Sequence, residues 1–117
     1  MPAGWKLEES GRAALLLRFP PRYPRVIADH VTLNLHDKAA PPDVGEAQVI
    51  GRCDDDAGVE ALVVRIDGST ARPDGLVWHV TWSLAEGRAP RESNAAIATL
   101  GWARVEPFPL ELVPAFW

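Results

Sequence analysis

The stretch Val77-Trp78-His79-Val80-Thr81-Trp82-Ser83-Leu84 decides how the chain is interpreted, because its Val, Thr and Trp residues are typical of a β-strand. An earlier stretch, Asp29-His30-Val31-Thr32-Leu33-Asn34-Leu35, repeats the pattern, and both contain His-Val-Thr-x-x-Leu. Side chains alternate between the two faces of a strand. In each copy the histidine and the threonine therefore share one face, and apolar residues occupy the other.

Each predicted strand has a polar front, which carries an imidazole and a hydroxyl, and an apolar back that faces a core. The backs comprise Val31, Leu33, Leu35, Val80, Trp82 and Leu84, and Trp78 is placed in the core with them. Nearly half of the chain separates His30 from His79. This separation leaves room for each strand to belong to its own half of a pseudo-symmetric fold.

Length and composition indicate one domain that spans residues 1–117. Apolar residues make up 47% of the chain and charged residues 24%, which are ordinary values for a soluble protein. No apolar run approaches the ~18 residues of a transmembrane helix, and the first residues lack the order of a signal peptide. The single cysteine, Cys53, excludes an internal disulfide and a cysteine-based zinc site. A cytoplasmic protein is expected.

The net charge limits the class of partner. A formal charge of −4 argues against a protein that holds long duplex nucleic acid through the phosphate backbone, which needs a basic surface. A small phosphorylated substrate or the end of an RNA strand remains compatible, since a few local arginines suffice for it. The chain is expected to be a monomer with no membrane partner.

The distribution of proline, glycine and aspartate predicts a strand-rich α+β domain with one or two helices. Strands are expected at residues 26–35, 46–52, 59–67, 77–84 and 102–106, and a helix at 92–100 that Ser93 or Asn94 caps and Gly101 ends. Residues 12–18 fit either a helix or a buried strand, residues 110–113 fit a last strand or an extended tail, and residues 1–11 are expected to be partly loose.

The two polar faces suggest phosphodiester chemistry if they meet across a groove. Attack at phosphorus needs a base on the entering oxygen and an acid on the leaving oxygen, and histidine serves in both roles near neutral pH. Threonine hydroxyls can donate to the non-bridging phosphate oxygens. His30, Thr32, His79 and Thr81 are therefore the predicted catalytic residues, and no cofactor is required.

The motifs His30-Val31-Thr32 and His79-Val80-Thr81 resemble those of the 2H phosphoesterase superfamily, which is named for two His-x-Thr/Ser motifs with apolar flanks. The resemblance implies a bilobal, pseudo-twofold, antiparallel-rich sheet with both motifs in a central cleft. It also implies that His79 is the base on water, that His30 is the acid on the leaving oxygen, and that Thr32 and Thr81 bind phosphate. Members act on 2′,3′-cyclic phosphates, on ADP-ribose 1″,2″-cyclic phosphate and on RNA 3′ ends. The chain would be a compact member.

Other residues were considered for substrate binding. Tyr23 and Arg25 precede the first motif and are suited to stacking on a base and holding a phosphate. Arg72 has the corresponding place before the second motif, and Ser83 continues its polar face. Each fits an ordinary structural role equally well. Trp5, Trp102 and Trp117 fit either a core or a substrate platform.

Alternative functions follow from the same features. His36 shares the face of His30 and invites a zinc hypothesis, but no tight ligand cluster accompanies it, so no metal site is predicted. The leading interpretation is a metal-independent phosphodiesterase that opens a 2′,3′-cyclic phosphate or a related RNA-end phosphodiester. A binding module that holds a nucleotide or RNA 3′ end without turnover is the alternative. A partner protein that docks through the apolar residues 108–117 is a third possibility.

Overall fold

A single curled sheet runs through the computed structural model, which describes residues 1–117. Its strand order is β7-β4-β5-β6-β3-β1-β8, every pairing is antiparallel, and β2 pairs with β6 beside this path. The predicted α+β class is confirmed. In chain order the elements are β1 (Ala3–Leu7), α1 (Glu9–Arg18), β2 (Arg25–Val26), β3 (His30–Asn34), β4 (Ala47–Asp54), β5 (Val59–Ile66), β6 (His79–Leu84), α2 (Glu92–Leu100), β7 (Ala103–Pro109) and β8 (Leu112–Phe116).

Two apolar clusters lie on opposite faces of this sheet. Consecutive residues of β5 alternate between them: Leu62 and Val64 belong to the larger cluster, and Ala61 and Val63 to the smaller. Leu15 of helix α1 and Phe19, which follows the helix, belong to the larger cluster with Trp5, Val31, Trp78, Val80 and Trp82. Helix α2 adds Ala96 and Ile97 to the smaller cluster. The core positions predicted for Val31, Trp78, Val80 and Trp82 are confirmed, but the one predicted for Leu35 is wrong, since that side chain is 61% exposed just beyond the end of β3.

The two helices differ in how their first turns are capped. The bounds predicted for α2 are confirmed, but its N-cap is Arg91, which makes no side-chain capping bond. The choice between helix and strand for residues 12–18 is decided in favour of a helix. The Glu8 carboxylate accepts hydrogen bonds from the amides of Ser10 and Gly11, each at 2.9 Å, and so caps α1. Neither helix has the length and apolar composition needed to cross a membrane.

The N-terminal residues, which were expected to be partly loose, form an inner strand instead. Strand β1 lies between β3 and β8 and contributes buried Ala3 and Trp5 to the core. A Cβ atom at Gly4 would lie 2.1 Å from the Val31 carbonyl oxygen, so only glycine permits this approach to β3. The prediction was wrong because the pairing of β1 depends on distant strands. Of the two alternatives for residues 110–113, a last strand or an extended tail, the strand is observed: β8 begins at Leu112 and pairs with the other side of β1.

The strand predicted at 26–35 is divided into β2 and β3. Ala28 has φ 43° and is fully buried, so the chain changes direction at this residue. The amides of Ile27 and Ala28 still donate to the Trp82 and Thr81 carbonyl oxygens at 3.0 Å. The kink thus keeps the chain beside β6 while it redirects the residues that lead into the His30 motif.

Substitutions at Ala28 should test this kink. The left-handed conformation costs an alanine about 1–2 kcal/mol, and a glycine avoids that cost. Glycine also loses the buried methyl group and gives the unfolded chain more entropy, and both effects destabilise the fold. Because these effects oppose one another, Ala28→Gly should change the free energy of unfolding by less than about 1 kcal/mol. Ala28→Val should destabilise by about 2 kcal/mol or more, since a β-branched side chain resists positive φ and has no space there. Urea denaturation checks both values. Equal effects of the two substitutions would contradict a strained kink.

Candidate active site

The two His-Val-Thr motifs pair directly with each other at the middle of the sheet. Val31 of β3 faces Val80 of β6 in antiparallel register, and both valines belong to the larger apolar cluster. The central residues of the two motifs are therefore neighbours in the sheet. Because neighbours in a strand alternate, the histidine and threonine on either side of each valine all point to the opposite face.

Val31–Val80 is the one residue pair between β3 and β6. The Ala28 amide donates to the Thr81 carbonyl oxygen, so Asp29 and His30 have no partner in β6, and His30 pairs with Lys6 of β1 instead. Thr32 and His79 follow and precede the two paired valines. All four side chains line one cleft, in which both imidazole rings can face one small group.

A cleft of about 460 Å³ opens over the four side chains. The loop between β5 and β6 forms one wall, and the N-terminal end of α2 forms another. Trp117 follows β8 and closes a third side. The cleft is lined by Pro2, His30, Thr32, Asn34, Leu35, His36, Arg72, Asp74, Leu76, His79, Thr81, Pro90, Arg91, Asn94 and Trp117.

His79 is held as a neutral imidazole with one free nitrogen. Its Nδ1 lies 2.8 Å from the Val77 carbonyl oxygen. Since a carbonyl only accepts, Nδ1 carries the proton and Nε2 keeps its lone pair. Burial lowers the pKa of His79, and the charges of Arg72 and His30 lower it further, although the bond to Val77 opposes them. The ring is therefore a free base at neutral pH.

His30 is oriented by a carboxylate that sequence reasoning did not select. The Nδ1 atom of His30 lies 2.9 Å from Asp29 Oδ2, and Lys6 Nζ donates to the same oxygen. Burial raises the pKa of Asp29, but the hydrogen bonds from Lys6 and His30 outweigh it and leave that pKa below its ordinary value. The ionised carboxylate accepts from Nδ1–H, which leaves Nε2 of His30 for the cleft.

Arg72 supplies a cation that is fixed in position. Its Nε and Nη2 atoms donate to the two oxygens of Asp74 at 3.0 and 2.6 Å, and its Nη1 donates to the Thr32 carbonyl oxygen at 3.4 Å. The hydrogen bonds from Arg72 lower the pKa of Asp74 to about 2. Arg72 is 8% exposed and keeps further N–H groups for a ligand in the cleft. The structure thus brings Arg72 to the predicted catalytic residues.

The two threonines have different surroundings. Thr32 lines the cleft, and no hydrogen bond to its hydroxyl is found within the protein. Thr81 is 8% exposed, and its Oγ1 lies 2.9 Å from the Ser93 hydroxyl and 3.3 Å from the Pro90 carbonyl oxygen. If a phosphate oxygen replaces the Pro90 carbonyl as the acceptor, Thr81 can donate a hydrogen bond to it while Ser93 donates to Thr81. Ser93, one of the two residues predicted to cap α2, thus bonds the Thr81 hydroxyl instead.

Trp117 is the aromatic residue that the structure places in the cleft. Its ring centroid lies 4.5 Å from that of His30, with 55° between the planes. Lys6 Nζ lies 4.8 Å from the same ring. By contrast, Trp5 is buried in the core, and Trp102 lies beside Gly51. The contacts with Trp117 and Asp29 limit how the His30 ring can turn.

Tyr23 and Arg25 were considered for substrate binding and lie outside the cleft. The Tyr23 hydroxyl donates to Asp54 Oδ1 at 2.6 Å, and Arg25 Nη1 donates to the Arg88 carbonyl oxygen at 2.8 Å. Both groups are thus bonded within the protein at another part of the sheet. The kink at Ala28 separates the segment that contains both residues from the His30 motif. Their closeness to His30 in sequence therefore does not bring them into the cleft.

Ser83 also lies outside the cleft, because a β-bulge reverses the alternation of β6. Thr81 faces Ala61 and Ser83 faces Glu60, so Trp82 has no partner of its own in β5. Ser83 consequently points away from Thr81, is fully buried and donates to Glu60 Oε1 at 2.6 Å. The same bulge moves Leu84 into the smaller cluster, whereas Val80 and Trp82 belong to the larger one.

His36 and Arg91 lie at the mouth of the cleft. His36 is exposed, as expected for the end of a strand, and the chain has no group of three or more His, Cys, Asp or Glu side chains arranged to hold a metal ion. Arg91 is an exposed cation that sequence reasoning did not select. Because Asp74 pairs with Arg72 in the cleft wall, Arg91 contributes the positive charge there that has no ion-pair partner.

Comparison of the chain with models of known protein families found no match. Searches of curated proteins and of solved structures found no match either. The geometry of the cleft is therefore the basis for a functional assignment.

Proposed function

We propose that the chain is a metal-independent phosphodiesterase of the 2H type, which hydrolyses a 2′,3′-cyclic phosphate or a related RNA-end phosphodiester. The observation that carries the proposal is that His30 and His79, on strands joined by the Val31–Val80 pair, line the same cleft. The fixed charge of Arg72 beside them supports an anionic substrate. The proposal retains the cytoplasmic, monomeric protein expected from the sequence.

The proposed reaction uses one imidazole on each side of phosphorus. Nε2 of His79 takes a proton from water, and the water oxygen forms a bond to phosphorus. The bond from phosphorus to the 2′ or 3′ oxygen breaks, and Nε2–H of His30 gives that oxygen its proton. Arg72, Thr32 and Thr81 donate to the non-bridging oxygens while charge increases there. The product is a nucleoside monophosphate with a free neighbouring hydroxyl.

Turnover in the presence of EDTA tests the proposal. The protein should convert nucleoside 2′,3′-cyclic phosphates to 2′- or 3′-monophosphates, and one product should dominate because the two histidines occupy fixed sides. Chromatography with 31P NMR identifies the product. Binding of the product without hydrolysis across the four bases would contradict the proposal and favour a module that only holds a nucleotide.

The pH dependence of kcat/KM should be bell-shaped, since one histidine must be neutral and the other protonated. The ascending limb reports His79 losing its proton. Because burial, Arg72 and His30 lower the pKa of His79, the midpoint of that limb should lie below 6.5. The descending limb reports the acid. Initial rates with one cyclic nucleotide across the pH range provide the test, and an ascending midpoint above 6.5 would contradict His79 as the base.

A further inference from the structure

A second, smaller cavity adjoins the catalytic cleft. Its volume is about 180 Å³, and it lies between the loop that precedes β6 and the helix α2. Leu76 and Asn94 line both this cavity and the cleft. We call it the side pocket, and its lining consists of Gly75, Leu76, Val77, Asn94, Ile97 and Ala98.

The walls of the side pocket differ in chemistry from those of the cleft. Its side chains are aliphatic except for the amide of Asn94. The Oδ1 atom of Asn94 is buried and has no hydrogen-bond partner. A buried acceptor without a donor is costly, and such groups are rare in native proteins. Since Asn94 lines the pocket, a turn of its amide toward a ligand N–H group would give this oxygen a donor and remove that cost.

Exposed apolar side chains extend from the side pocket into the cleft. Leu76 is 37% exposed and Leu35 is 61% exposed, and both line the cleft. The remaining lining beside them is mostly polar or charged. Apolar surface inside a polar cleft marks a place where a ligand presents an apolar face.

We propose that the side pocket receives the nucleobase of the substrate and so selects cyclic phosphates whose reacting ribose carries a base. This inference builds on the proposed function. In such a molecule the base is bonded to C1′, next to the C2′ whose oxygen is bonded to phosphorus. The base must therefore lie within one sugar ring of His30 and His79, which is where the side pocket begins.

The chemistry of a base fits these walls. Its flat faces suit the aliphatic side chains of Leu76, Val77 and Ile97, and its edge carries N–H groups that suit the Asn94 amide. A cyclic phosphate without a base, such as 1-O-methylribose 2′,3′-cyclic phosphate, offers no such group to the pocket. The side pocket thus separates two classes of cyclic phosphate that the two histidines alone would treat alike.

The test compares substrates with and without a base. The wild-type protein should show a kcat/KM for nucleoside 2′,3′-cyclic phosphates at least about tenfold above that for 1-O-methylribose 2′,3′-cyclic phosphate. Ala98→Met should fill the pocket and bring this ratio close to one. Ala98 is exposed on α2, and methionine is a good helix former, so folding should be retained. Ala95→Met, at an exposed position of α2 that lines neither cavity, should keep the wild-type ratio.

A second variant and a binding measurement keep the two proposals distinguishable. Asn94→Leu removes the unpartnered oxygen, so it should not lower the melting temperature but should reduce the ratio. Calorimetry should show that nucleoside monophosphates bind at least about tenfold more tightly than ribose phosphate. This preference without hydrolysis would support the side pocket and overturn the catalytic proposal. Equal kcat/KM with and without a base, unchanged by Ala98→Met, would overturn the side pocket alone.

Discussion

Replacing either cleft histidine with asparagine is expected to lower kcat/KM for 2′,3′-cyclic nucleotides by about 10²–10⁴-fold. Asparagine is chosen because its amide nitrogen can occupy the place of Nδ1. His79→Asn then keeps a donor for the Val77 carbonyl oxygen, and His30→Asn keeps a donor for Asp29. Both variants lose Nε2, which is the atom that the proposed mechanism uses. Steady-state kinetics with circular dichroism as a check on folding provides the measurement.

The third histidine provides the matched control for these variants. His36 is exposed at the cleft mouth, so His36→Asn should change kcat/KM by less than about threefold. That change is small beside the loss expected when a proton-transfer group is removed. Since the two cleft histidines act in one step, the double variant should lose little more than the worse single variant. Full activity in a folded His30→Asn or His79→Asn protein would remove that histidine from the mechanism.

Arg72→Gln is expected to lower kcat/KM by about 10²–10³-fold, the usual effect of removing one donor to a developing oxyanion. The guanidinium is held by both oxygens of Asp74, so it faces the cleft without reorganising. Because the charge of Arg72 lowers the pKa of His79, its removal should also move the ascending limb of the pH profile to higher pH. This second readout separates a role in the site from a role in folding alone.

Two further substitutions complete the test of Arg72. Arg72→Lys keeps the charge but cannot bond both oxygens of Asp74. Compared with Arg72→Gln, it should return the ascending limb of the pH profile close to its wild-type position, while kcat/KM recovers less. Arg65→Gln removes a guanidinium that bonds Gln48 on β4 and does not line the cleft, and it should leave both readouts unchanged. An unshifted limb in Arg72→Gln would contradict the placement of Arg72 beside His79.

The parts of the fold that were predictable are those in which local pattern and tertiary contacts agree. The alternation around His79 fixes the face of Val80 and Trp82, and the composition of residues 92–100 suffices for a helix. Strand β1 was missed because five residues, one of them Gly4, give no periodic signal. Their strand conformation depends on β3 and β8, which are distant in the chain.

The parts of the site that were missed depend on departures from regular strand geometry. Asp29 precedes His30, and in a straight strand it would point to the other face. The kink at Ala28 is what allows its carboxylate to reach the His30 ring. The bulge at Trp82 likewise turns Ser83 away from the face that simple alternation assigns to it. Alternation alone contains no sign of either irregularity.

The central claim is that His30 and His79 face the same anion. Long-range 1H–15N NMR of the imidazole rings during a titration with a nucleoside 2′-monophosphate tests it most directly. The account predicts that the Nε2 signals of both histidines shift with one common dissociation constant, while the Nδ1 signals change little because Asp29 and Val77 hold them. Shifts confined to one ring, or two rings that titrate with different constants, would contradict it.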